Sequence, residues 1–120
     1  MQKSRLKMSS TIENQVYKIL YQVLADEKTE IEMEIMLKAL LTESELSAIA
    51  KRLAIAVFLD KGQSYERIKD ILKVSSATIA SVAENMNMRG MQTALKRVKA
   101  EEWADVWSIR ISRALEKLIK

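Results

Sequence analysis

The chain has no proline, no cysteine and no histidine, and only two of its 120 residues are glycine. Average usage would place about six prolines and about eight glycines in a chain of this length. Each absence excludes something. Without cysteine there is no disulfide framework, and without cysteine and histidine together the usual donor sets for zinc, haem and iron–sulfur centres are missing. The Ser-His-Asp and Cys-His nucleophile pairs are missing too. Paired carboxylates are the catalytic route left, and no such constellation stands out, so the expectation is a non-enzyme with no cofactor and no metal. Long apolar runs are also lacking. The most apolar stretch, Leu46 to Leu59, is too short to span a bilayer and holds Lys51 and Arg52 in its middle. Met1 to Ser10 carries Lys3, Arg5 and Lys7, but no apolar stretch follows of the kind a secretory signal needs. The chain therefore reads as cytoplasmic, with no membrane contact.

What is present is charge, unevenly distributed. Twenty Lys and Arg against sixteen Asp and Glu give +4 and an isoelectric point near 9.4, a balance that permits nucleic-acid binding without demanding it. Residues 26–50 carry seven acids against two lysines, a local −5, whereas residues 51–100 carry ten cations against four acids, a local +6. The length suggests one domain. A monomer of this size buries only about two thirds of its unfolded surface, so a partner subunit would help it.

A proline-free, glycine-poor chain has to punctuate itself with capping residues, which points to an all-α fold. Val16, Ile19, Leu20, Val23 and Leu24 recur at three and four residues on a helix expected from about Thr11 to Leu24. Ile31, Ile35, Met36, Ala39 and Leu40 form a second stripe. Thr42-Glu43-Ser44-Glu45 has the form of a capping box, opening a third helix whose expected buried side is Leu46, Ile49, Leu53, Ala56, Val57 and Phe58. Gly62 stands where a helix-closing glycine belongs. Ser64 can cap a short helix, Tyr65 to Leu72, and Ser75 can cap the next, through Ala77, Ile79, Val82 and Met86. Two short helices across a turn of three or four residues make the helix-turn-helix pattern, here expected at 64–86. Its packed residues are Ile68, Leu72, Val74, Ile79 and Val82. Asn85 to Gly90 is a further break, and from Met91 the chain reads as one more helix with a seam at Ala104, Trp107, Ile111, Ala114 and Leu118. About six helices result. The expected divisions are a basic arm over 1–10, a helical domain over 11–88, and a C-terminal extension over 89–120 that packs on the core or at a dimer interface.

With these marks in place, LLTESELSAIAKRLAIAVFLDKGQSYERIKDILKVSSATIASV resembles the Trp repressor family, especially its YerC/YecD-type branch. The resemblance rests on Leu41-Thr42 with Glu45, Lys51-Arg52, Lys61-Gly62, Ser64-Tyr65, Ile68, Leu72, Val74-Ser75 and Ala77-Thr78-Ile79. It implies a small DNA-binding transcription regulator that forms an intertwined homodimer. In tryptophan-sensing members, a Thr at the place of Thr42 and an Arg at the place of Arg52 help hold the amino acid, with a second Arg covering the indole. That last position is Ser81 here, so a stacking platform and a charge are missing and tryptophan sensing is not expected. Any small-molecule effector is unknown. The turn residue, often glycine in such units, is Lys73.

The resemblance and the residue chemistry together name a candidate DNA surface. Lys69, Ala77 and Thr78 match positions that meet DNA in the family. Ser75, Ser76 and Thr78 can donate and accept hydrogen bonds in a major groove, the methyls of Ala77 and Thr78 can touch a thymine methyl, and Ser81 lies on the same helix. None can form the bidentate Arg–guanine or Asn–adenine pair. Arg67, Lys69 and Lys73 could clamp phosphates, against the alternative of an ordinary solvated helix face. Thr42 and Arg52 are the candidate effector residues, with Arg52 alternatively pairing an acid such as Glu45 or Glu84. Glu101, Glu102 and Asp105 read as a solvated face, and the seven methionines as adaptable core filler. A competing expectation keeps the scaffold as a helical protein–protein interaction module without DNA binding.

Overall fold

The computed structural model describes residues 7–100 and 103–119. Among them it is all-helical, without strands: α1 (Ser10–Asp26), α2 (Glu30–Leu40), α3 (Glu43–Asp60), α4 (Tyr65–Leu72), α5 (Ser76–Glu84), α6 (Arg89–Ala100) and α7 (Trp103–Ile119). That is seven helices where about six were expected. The difference falls at the C-terminal end, where the segment read as one helix is two. No glycine, proline or capping Ser/Thr lies between Ala100 and Trp103, so nothing in the sequence marked the end of α6. The start of α6 also differs, because Gly90 sits inside its first turn rather than in the preceding break.

Side-chain caps account for four helix starts. Ser9, Thr29, Ser64 and Ser75 each accept the backbone N–H three residues on, at 3.4, 3.1, 3.2 and 3.1 Å. Each satisfies an otherwise orphaned donor, a contribution of about 1 kcal/mol. At the end of α3, Gly62 takes φ 78. Its N–H donates to the Leu59 carbonyl and that of Gln63 to the Phe58 carbonyl, both at 3.0 Å. This is a Schellman closure, and the left-handed residue in it is the one without a Cβ.

Two compact units divide the chain, Met1–Glu43 and Ser44–Lys120. The first holds α1 and α2, neither of which contains a buried residue. Ile12, Val16, Tyr17, Ile19, Leu20, Tyr21 and Val23 of α1 are all exposed, with the rings of Tyr17 and Tyr21 stacked at 6.2 Å. The second unit holds the core: Ile55, Ala56, Val57 and Phe58 of α3, Ile68 of α4, Ile79 and Val82 of α5, and Leu95 of α6. Ile111 of α7 packs against it.

The core departs from the expected stripe on α3. Ala54 and Ile55 are buried, Leu46 and Leu53 are half-buried, and Ile49 is 56% exposed. Five consecutive buried positions, Ala54 to Phe58, at about 100° per residue sweep a full turn, so this half of α3 is enclosed on every side. The N-terminal half is not covered in this way. A single stripe describes a helix lying on a core, and α3 instead passes through one over Ala54–Phe58 before Asp60 reaches solvent.

Candidate nucleic-acid interface

The segment expected to bear the DNA surface is built from α4, a turn and α5. Ile68, Ile79 and Val82 are fully buried, while Leu72 and Val74 pack against the same cluster. These five apolar anchors fix the two short helices against each other and against α3. The turn is closed by Lys73 at φ 56 and ψ 51, whose N–H donates to the Lys69 carbonyl at 2.9 Å. A left-handed residue there ends α4 sharply and frees Ser75 to cap α5.

Charge follows from this local geometry. Lys69 in the last turn of α4 and Lys73 at its left-handed C-cap are both exposed, at the helix end where cations also suit the dipole. Arg67 is not brought together with them. About 200° around the helix from Lys69, it accepts a different neighbourhood: its guanidinium donates to Gln63 Oε1 at 3.0 Å. There it lines a narrow cleft with Phe58, Ile71, Ile111 and Leu115, between α4 and α7.

On α5, Ser75 Oγ accepts the Thr78 N–H and shares a 3.0 Å hydrogen bond with Thr78 Oγ1. Ser76 and Ala77 are exposed, and Thr78 is half-buried. Ser81 faces another way. Its hydroxyl accepts both terminal nitrogens of Arg52 at 3.5 Å, across to α3. Thr42 belongs to the first unit and Arg52 to the second. Ala104 and Trp107 of the C-terminal seam, the acids Glu101, Glu102 and Asp105, and Lys3 and Arg5 of the arm lie outside the residues whose side chains are described; Lys7 is exposed. Among the described residues, no group of His, Cys, Asp or Glu could hold a metal ion, and no helix is long and apolar enough to cross a membrane.

Sequence reasoning missed the cations of α6. That helix carries Arg89, Lys96, Arg97 and Lys99 and no acid in its twelve residues, a run visible once its limits are known. Lys99 is engaged with Asp60 at the end of α3, Nζ to Oδ2 3.2 Å.

Among the described residues the protein is a small all-helical scaffold whose second unit anchors two short capped helices across a lysine-bearing turn. The family model described as Trp repressor protein matches residues 15–99. The chain belongs to the Trp repressor family. The match runs from within α1 to the end of α6, leaving α7 beyond it. No curated protein and no solved structure matches the chain.

Proposed function

We propose that the protein is a sequence-specific DNA-binding transcription regulator of the Trp repressor type, acting as a homodimer through a helix-turn-helix formed by α4, Lys73–Ser75 and α5. The observation that carries this reading is the exposed Lys69–Lys73 pair at the tight turn leading into α5. Phosphate contacts at that turn would set the orientation of α5, whose exposed N-terminal residues Ser76 and Ala77 would then approach base edges. The bond between Ser75 and Thr78 uses one of their two hydroxyl donors, so base readout by this helix leans on small side chains and close approach rather than on long polar arms.

The homodimer is supported by α1. A helix with seven large exposed apolar side chains and no buried residue leaves its hydrophobic face without cover. A two-fold partner is the economical way to bury it. Tryptophan sensing is not part of this reading, because Ser81 receives Arg52 directly and offers no second guanidinium. Assignment to the YerC/YecD-type branch and a cytoplasmic location are consistent with this picture. A second reading, a helical protein–protein interaction module, is favoured by the absence of any cation on α5, whose only charge is Glu84.

Selection from a pool of random duplexes separates the two. A regulator should enrich a pseudo-palindrome with half-site centres about 34–36 Å apart. Binding to that duplex should weaken steeply with salt, and Lys69→Ala with Lys73→Ala should lower the slope by about two per half-site. No enrichment, and no binding to any duplex at low salt, would leave the interaction module as the better account.

A further inference from the structure

We infer that the outward face of α6, formed by Arg89, Lys96 and Arg97, is a second phosphate-contacting surface that engages the duplex backbone flanking the groove entered by α5. This rests on the DNA-binding reading above and extends it to an element that reading does not use.

The apolar side of α6 is fixed by the core. Leu95 is buried, and Met91 and Val98 pack against the same cluster. Arg89, Thr93, Lys96 and Arg97, at intervals of four, three and one, fall on the opposite side, and all four are exposed. Within its twelve residues the helix offers no carboxylate to neutralise these cations. Lys99 is off this face, in its ion pair with Asp60, so among the described residues Arg89, Lys96 and Arg97 are the cations of α6 that face an external anion.

Arg89 adds an observation of a different kind. It is the first residue of α6, and no acid occupies that first turn. The positive end of a helix disfavours a cation there, so the position is electrostatically adverse to the fold itself. The penalty on an exposed helix end is small, and an external negative charge at this position would offset it.

Asn85–Met88 joins α5 to α6 as a closed turn, whose ends lie within about 7 Å of each other, so α6 starts beside the C-terminal end of α5. The link is held in place: Met88 N–H donates to the Asn85 carbonyl at 3.1 Å, and Gln92 Nε2 to the Met86 carbonyl at 2.6 Å. From Arg89 to Arg97 the stripe runs about 12 Å along the helix. Because α5 and α6 share one core and this short turn, an α5 seated in the groove brings the stripe with it as part of one body. Repeated anionic charge at such intervals is the chemistry of a nucleic-acid backbone, and it carries no sequence information.

The test is fluorescence anisotropy of the full chain on its selected duplex and on an unrelated duplex of equal length, across a range of KCl. Lys96→Gln with Arg97→Gln should lower the salt slope by about two per half-site and weaken both duplexes by the same factor, with the thermal midpoint unchanged. Arg89→Gln should weaken binding while leaving the midpoint equal or higher. The charge-conserving exchange Lys96→Arg with Arg97→Lys should keep the wild-type slope, which guards against a general folding effect. An unchanged slope in the neutralised variant, or a loss confined to the selected duplex, would overturn the assignment. So would a change in oligomer mass without a change in slope, which would make the face a protein contact. If the unmodified protein binds neither duplex, the DNA-binding reading itself fails, and this surface fails with it.

Discussion

Lys73 holds φ 56, the one left-handed conformation of a non-glycine residue among those described. Such a conformation costs an L-residue roughly 1–2 kcal/mol, and glycine avoids it at the expense of greater freedom when unfolded. Lys73→Gly is therefore expected to raise stability by about 1 kcal/mol and the thermal midpoint by about 4 °C. It should weaken duplex binding at the same time. Lys73→Asn tolerates the same backbone and removes only the charge, so calorimetry and binding measured on both variants separate strain from electrostatics. A second residue-scale expectation concerns Arg52 and Ser81. At 3.5 Å and half-buried, their contact is long for a hydrogen bond, and a double-mutant cycle of Arg52→Ala and Ser81→Ala should return a coupling below about 1 kcal/mol. A larger coupling would give Ser81 a structural weight that its geometry does not suggest.

The α4–turn–α5 element owes its form to caps at its edges and apolar anchors at its centre, and the two make different demands. Ser75→Ala removes the acceptor for the Thr78 N–H and should cost about 1 kcal/mol. Ile79→Ala empties a fully buried site and should cost about 2–5 kcal/mol, a large share of the stability of a small domain. Urea unfolding followed by circular dichroism measures both. Equal costs would mean that the core around Ile79 relaxes into the space. The caps Ser64 and Ser75 were legible in the sequence because a hydroxyl three residues before its partner is a local pattern. Ile55 and Ile49 were not, because their burial depends on which elements close around each half of α3.

At the scale of the whole molecule, the unburied apolar face of α1 and the exposed Ile49 set the expectation for assembly. A homodimer should show twice the chain mass in light scattering and a thermal midpoint that rises with protein concentration. Val16→Glu with Ile19→Glu places charge where the apolar face is exposed and should return the mass to that of one chain. One-chain mass in the unmodified protein would reject the dimer outright.

The amino-acid sequence by itself determined the all-α class, the capped starts of α4 and α5, the glycine closure of α3 and the pair of short helices within 64–86. All of these follow from interactions within a few residues along the chain, which composition and spacing record directly. Tertiary structure decided the rest. It enclosed α3 from Ala54 to Phe58, turned Arg67 towards α7 and away from Lys69, brought Ser81 to Arg52, and left Arg89, Lys96 and Arg97 on one outward face of α6. Which side of a helix meets solvent is fixed by the elements packed against its other side. Those contacts join residues far apart in sequence, and no local pattern carries them.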